Sequence, residues 1–63
     1  MNITFKKHEL CPDVHHVIVY KNQEIIAEAR TIKCDEIEGN FVDLYYCTER
    51  KMRNKLIFKL AKI

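Results

Sequence analysis

Apolar and polar residues alternate along several stretches of this chain, and the alternation predicts a small β-sheet. The segment 2–7 places apolar residues at every second position. The segments 14–20, 24–31 and 41–47 are rich in β-branched and aromatic residues. Successive side chains of a strand point to opposite faces, so each stretch is predicted to be a strand with one face buried.

The second and third strands are predicted to form a hairpin around the two-residue loop Asn22–Gln23, because Asn tolerates the positive φ that such a loop requires. A regular register then gives the cross-strand pairs Lys21–Glu24, Tyr20–Ile25, Ile18–Ala27, His16–Ala29 and Val14–Thr31. The face formed by these pairs is mostly apolar and is predicted to be the core side. The opposite face has both apolar and polar side chains and is predicted to be exposed; it contains His15, Val17, Val19, Ile26, Glu28 and Arg30.

The only glycine marks the next predicted turn, in the acidic stretch "CDEIEGN". With Gly39 and Asn40 as the loop, Ile32 lies opposite Cys47 and Cys34 lies opposite Tyr45. Cys34 and Cys47 are then predicted to be diagonal neighbours on one face of the sheet.

The last segment, residues 49–63, fits a helix better than a strand. Apolar residues follow a helical spacing at Met52, Leu56, Leu60 and Ile63. Thr48 is the predicted N-cap, and the late lysines suit the C-terminal end of the helix dipole. The strand alternative rests on the alternation of Leu56, Phe58 and Leu60 with their neighbours.

Together these elements predict one α+β domain over residues 1–63, with an antiparallel sheet of about four strands and a C-terminal helix on one face. The alternative is an all-β, five-stranded SH3-like or OB-like barrel in which the tail is the last strand. The chain has 63 residues, no apolar signal segment and no apolar run near the roughly 20 residues that span a bilayer. We therefore expect a soluble cytoplasmic protein without a membrane partner.

A cluster of potential metal ligands occurs in "CPDVHH", residues 11–16. A zinc-stabilised domain is one alternative, and its candidate ligands are Cys11, His15, Cys34 and Cys47. Strand periodicity argues against it, because His15 and His16 then point to opposite faces, and no C-x2-C pair is present. No catalytic motif occurs and the chain is short for a substrate cleft, so we expect no enzyme activity, catalytic residue or cofactor.

Charge is divided along the chain: the middle is acidic and the tail is basic. The basic positions of the tail are Arg50, Lys51, Arg53, Lys55, Lys59 and Lys62. Together with the aromatic residues Phe41, Tyr45, Tyr46 and Phe58, they make a nucleic-acid-binding module the second functional hypothesis. The net charge of only +2 argues against it.

Protein binding is the leading functional hypothesis, because an exposed apolar surface on a small domain usually marks an interface. The predicted contact residues are Val17, Val19, Ile26, Tyr45 and Tyr46. We expect a small regulator or inhibitor that covers a surface of its partner, either a host enzyme or a second copy of the chain. The richness in Ile, Lys, Glu and Asn is typical of AT-rich coding, which makes a phage protein one expectation.

Overall fold

A computed structural model describes residues 2–63 and shows a four-stranded antiparallel sheet with a C-terminal helix on one face. The strands are β1 (Ile3–Cys11), β2 (Val14–Lys21), β3 (Glu24–Cys34) and β4 (Gly39–Cys47). They pair in chain order, so β1 and β4 form the two edges of an open sheet. A 3-10 turn (Arg50–Met52) leads into helix α1 (Arg53–Lys62). The predicted α+β fold is confirmed, and the barrel alternative is wrong because the tail is helical and the sheet does not close.

Two-residue turns join the first three strands. Pro12 and Asp13 connect β1 to β2, and Asp13 adopts a left-handed φ of 69°. Asn22 and Gln23 connect β2 to β3 with φ values of 52° and 72°, the combination that a type I′ hairpin turn requires. The predicted hairpin loop is confirmed, as are its first two pairs, Lys21–Glu24 and Tyr20–Ile25.

A β-bulge at Ile26 changes the register of this hairpin immediately after the turn. Tyr20 pairs with Ile25, but Val19 pairs with Ala27, so Ile26 is an extra residue on β3. A one-residue bulge moves every later side chain of the bulged strand to the other face. The pairs predicted beyond this point are therefore wrong, and so is the predicted core face.

The core lies on the sheet face for which a regular register predicts both apolar and charged side chains. The bulge changes the composition of this face, because it brings the alanines of β3 opposite the valines of β2. Its buried apolar members are Val17, Val19, Ile26, Ala27, Ala29, Leu56 and Leu60. Val17 and Val19 are fully buried and Ile26 is only 5% exposed. The prediction that these three residues form an exposed face is wrong.

The turn between β3 and β4 is formed by residues 35–38 rather than by Gly39 and Asn40. Cys34 pairs with Gly39, whereas Cys47 pairs with Ala27. The two cysteines are thus separated by about seven residues of β3, or roughly 20 Å at ~3.3 Å per residue. Their predicted diagonal contact, and the register behind it, are wrong.

Helix α1 confirms the helical prediction for the tail. Leu56 and Leu60 are buried against the sheet, Met52 packs at the edge of the core, and Ile63 is exposed. Thr48 is not the N-cap, because Glu49 precedes the 3-10 turn and Met52 precedes α1. The backbone N–H of Thr48 instead donates to the carbonyl oxygen of Ile26 at 2.8 Å and extends the strand pairing beyond β4. The helical segment begins two residues later.

Gly39 and Asn40 hold the end of α1 against β4. A Cβ atom on Gly39 would overlap the carbonyl oxygen of Ala61, and the φ of Gly39 is 149°. The Asn40 Nδ2 atom donates to the carbonyl oxygens of Leu60 at 3.0 Å and Ile63 at 2.6 Å. Carbonyl groups in the last turn of a helix lack intrahelical partners, so these bonds terminate the helix at a defined place on the sheet.

Candidate functional site

The sheet face opposite α1, hereafter the open face, is the main candidate binding surface. Its central side chains are His16, Ile18, Tyr20, Glu28, Arg30, Phe41, Asp43, Tyr45 and Tyr46. Phe41 is 58% exposed, Tyr45 45% and Tyr46 42%. Large exposed aromatic side chains clustered on one surface are typical of protein interfaces.

A second bulge concentrates the tyrosines on this face. Glu28 pairs with Tyr46, and the next residue, Ala29, pairs with Leu44, so Tyr45 is the extra residue on β4. The bulge allows two consecutive tyrosines to lie on the same side of the sheet. Their contacts with Glu28 and Arg30 of the open face confirm this placement.

Glu28 organises the centre of the open face. Its carboxylate accepts a hydrogen bond from the Tyr46 hydroxyl at 2.7 Å and lies 3.2 Å from the Nε2 atom of His16. The hydrogen bond to Glu28 is the main reason that the pKa of Tyr46 is raised above the ordinary value of 10.0. Losing the phenolic proton would remove this bond and place two negative charges together.

Tyr45 is positioned by two further side chains. The guanidinium carbon of Arg30 lies 5.8 Å from the centre of the Tyr45 ring, within the range of a cation–π interaction. The His16 ring lies 6.2 Å from the same ring, with the two planes tilted by 35°. Tyr45 and Tyr46 therefore both have neighbouring side chains that position them in the absence of a partner.

The five residues predicted to bind a protein separate into two groups. Tyr45 and Tyr46 lie exposed on the open face, whereas Val17, Val19 and Ile26 are in the core and offer no surface to a partner. Sequence reasoning missed Glu28 and Arg30, because a regular register assigns them to the same face as the valines. The bulge at Ile26 moves both residues to the open face, and the sequence around it has no glycine or other signal that marks a bulge.

The basic tail lies on the other side of the molecule from these tyrosines. The exposed basic side chains of the 3-10 turn and α1 are Arg50, Lys51, Arg53, Lys55, Lys59 and Lys62. Phe58, on the outer side of α1, is 69% exposed. The sheet aromatics and the basic tail, which the nucleic-acid hypothesis combines in one site, are thus separated by the thickness of the sheet and the helix.

The four candidate zinc ligands do not converge on one point of the structure. His15 and Cys34 line one concavity together with Thr31 and Lys33. Cys47 is at the far end of β4, where its Sγ atom donates to the Glu49 carbonyl oxygen at 3.1 Å. Among residues 2–63, no group of three or more Cys, His, Asp or Glu side chains has the geometry to hold a metal ion.

Neither family models, curated proteins nor solved structures match this chain. Within the part of the chain that the structure describes, no helix is both long and apolar enough to cross a bilayer. The exposed surfaces are therefore the features of the molecule that indicate its function.

Proposed function

We propose that this protein is a small non-enzymatic regulator or inhibitor that binds a partner protein through its open face. The observation that carries the proposal is the pair Tyr45 and Tyr46, both exposed and both held by charged neighbours. Tyrosine and arginine are enriched among the residues that dominate binding energy at protein interfaces. Side chains that are already ordered lose less entropy when a partner binds, which favours affinity from a small surface.

The charges of the open face favour a protein partner over a nucleic acid. Glu28 and Asp43 lie among the aromatic side chains, and Asp43 is the cross-strand neighbour of Arg30. Carboxylates in the middle of an aromatic surface repel a phosphate backbone but can be matched by donors of a protein. The supported partner chemistry is a protein surface that offers apolar area to the aromatic side chains and hydrogen-bond donors to Glu28 and Asp43.

The size and composition of the chain fit a more specific form of the same proposal. We infer a phage-encoded protein that acts on a host enzyme in the cytoplasm by covering part of that enzyme's surface. Three cysteines, an odd number, suit a reducing compartment. A second copy of the chain is the competing occupant of the open face.

The experiment compares three forms of the protein in pull-downs from nuclease-treated host lysate. The forms are wild type, a Tyr45→Ala/Tyr46→Ala double variant of the open face, and Phe58→Ala on α1 as a matched control. All three changed side chains are exposed, so the fold should be retained, which circular dichroism checks. The proposal expects one stoichiometric protein that wild type and Phe58→Ala retain and that the double variant loses.

Reconstitution with the captured protein then measures the affinity directly. Loss of a central tyrosine at an interface costs about 2 kcal/mol or more, which weakens binding by roughly thirtyfold. A captured protein that binds the double variant equally well would contradict the proposal, as would an empty pull-down. A concentration-dependent dimer in sedimentation, abolished by the double variant, would show that the second copy is the occupant.

A further inference from the structure

The outer side of α1 is a second exposed surface, and it is separate from the open face. This surface, hereafter the outer helix surface, consists of Lys51, Lys55, Phe58, Lys59 and Lys62, all exposed. Phe58 is the most exposed of the large hydrophobic side chains in residues 2–63, at 69%. At about 100° of rotation per residue it points almost directly away from the buried Leu56 and Leu60, so its ring does not stabilise the core.

No acidic residue of the tail itself opposes the charge of this surface. No Asp or Glu occurs from Arg50 to the end of the chain. The nearest preceding acid is Glu49, whose carboxylate accepts hydrogen bonds from the Lys21 Nζ atom at 2.7 and 3.1 Å. The lysines of the outer helix surface are therefore free to attract a polyanion.

The exposed ring of Phe58 favours a nucleic acid over an anionic membrane as the ligand of this surface. A helix that binds a membrane inserts a broad apolar face, but the apolar face of α1 is already occupied by the sheet. One ring among lysines offers little area for insertion into lipid. An aromatic ring surrounded by cations is instead the arrangement on which an unpaired base stacks while its flanking phosphates are neutralised.

We propose that the outer helix surface binds single-stranded nucleic acid, with a base stacked on Phe58 and phosphates contacted by Lys55, Lys59 and Lys62. This activity is independent of the protein-binding function proposed for the open face. Because the sheet tyrosines lie on the opposite side of the molecule, they take no part in it. The structure thus selects Phe58, and not Tyr45 or Tyr46, as the stacking group.

The two ends of the outer helix surface are not equivalent. The acidic residues Asp35 and Glu38 line the same concavity as Ile63, so acidic groups lie near the C-terminal end of α1. They and the negative end of the helix dipole partly offset Lys62. Lys55, one helical turn before Phe58, contributes more to binding than Lys62.

The test uses fluorescence anisotropy of a labelled oligothymidylate, which has unpaired bases, with the full-length protein at increasing salt. A duplex of the same length and phosphatidylcholine vesicles containing phosphatidylserine are the comparison ligands. Three phosphate contacts, at roughly 0.7 each, give a slope of about −2 when the logarithm of the association constant is plotted against the logarithm of the salt concentration. Phe58→Ala weakens binding at least about fivefold with little change in this slope. Lys55→Gln weakens binding and makes the slope shallower, and Lys62→Gln does so less.

A variant with a fluorescent side chain at position 58 tests the stacking contact itself. The chain contains no tryptophan, so Phe58→Trp introduces a single tryptophan at the proposed contact, which can be excited at wavelengths where the three tyrosines do not absorb. Its fluorescence should be quenched by the oligothymidylate, and its affinity should equal or exceed that of wild type. Tyr45→Ala/Tyr46→Ala should bind the oligonucleotide like wild type, which separates this surface from the open face.

Several results would overturn the inference. One is the absence of oligothymidylate binding at low salt. Another is binding that survives Phe58→Ala but is lost in the tyrosine double variant. Equal affinity for the duplex, without quenching of Phe58→Trp, would show attraction by charge alone. Preferential binding to the vesicles would assign the surface to membranes instead.

Discussion

Gly39 lies directly against the carbonyl group of Ala61, in the last turn of α1. The contact joins the start of β4 to the end of the helix, and the neighbouring Asn40 adds two hydrogen bonds to the same helix end. The helix that covers the core is thus anchored to the sheet at its C-terminus. At its other end, the Lys21–Glu49 ion pair ties β2 to the residue that precedes the 3-10 turn.

Replacing Gly39 by alanine should destabilise the fold. The added Cβ overlaps a backbone atom that cannot rotate away, and a φ of 149° is strained for any residue with a side chain. We expect a loss of about 2 kcal/mol or more in the free energy of unfolding, measured by urea denaturation. Glu38→Ala, at the adjacent exposed position, is the control and should change stability little. An unchanged midpoint for Gly39→Ala would show that the helix end is not packed against β4.

Asn40→Ala should shorten the ordered part of α1. The substitution removes both hydrogen bonds to the carbonyl oxygens of Leu60 and Ile63, and we expect a loss of about 1–2 kcal/mol. Asn54→Ala, an exposed Asn on the same helix, is the matched control and should be neutral or slightly stabilising. Amide hydrogen exchange in the last helical turn should accelerate for Asn40→Ala only. Equal exchange in both variants would refute the anchoring role.

Leu60→Ala and Phe58→Ala should differ sharply although both truncate an apolar side chain of α1. Leu60 is fully buried, and its truncation leaves a cavity that costs about 2–5 kcal/mol. A chain of this size has only roughly 3–9 kcal/mol of stability, so Leu60→Ala should lose a large fraction of it and melt at a clearly lower temperature than wild type. Phe58→Ala should retain the wild-type melting curve in circular dichroism. Similar losses in the two variants would mean that Phe58 packs against the sheet.

The hydrogen bond from Tyr46 to Glu28 should make the alkaline titration of Tyr46 depend on the Glu28 side chain. Because Glu28 raises the pKa of Tyr46, Glu28→Gln should lower that pKa towards 10.0, whereas Glu24→Gln on the same strand should not. The difference between the ultraviolet pH titrations of the protein with and without Tyr46→Phe isolates this tyrosine. A Tyr46 pKa that does not respond to Glu28→Gln would contradict the hydrogen bond.

The sign of the linked stability follows from the direction of this shift. The folded-state pKa of Tyr46 lies above its unfolded value, so the stabilising contribution is fully present below the unfolded pKa. It is lost as the pH rises through the folded pKa. Wild type should therefore lose its stability advantage over Glu28→Gln only in the alkaline range, and denaturation midpoints measured across that range check the expectation.

Local sequence patterns predicted the elements well because they depend on short-range physics. Period-two alternation identified strands, and the spacing of Leu56 and Leu60 identified the helix. The loop Asn22–Gln23 followed from the positive φ values that a short hairpin requires. The divergence of His15 and His16 to opposite faces followed from strand geometry alone, and their contacts with different faces confirm it.

The faces and contacts could not be predicted, because two bulges decide them. The extra residue at Ile26 exchanges the buried and exposed sides of β3, and the extra residue at Tyr45 gathers two tyrosines on the open face. Neither bulge has a local signature such as a glycine. The first brings the alanines of β3 opposite the buried valines, and the second allows both Leu44 and Cys47 of β4 to pack against the core. Both outcomes are properties of the assembled sheet.

By itself, the sequence determined a four-stranded sheet, the Asn22–Gln23 turn and an amphipathic C-terminal helix, since hydrophobic period and turn chemistry act between near neighbours. Only the tertiary structure decided that Gly39 serves helix packing rather than a turn, and that Phe58 faces solvent. It also placed the tyrosines and the basic helix on opposite sides of the molecule. These outcomes depend on which face of the sheet the helix covers, and that choice is made by packing between residues far apart in the chain.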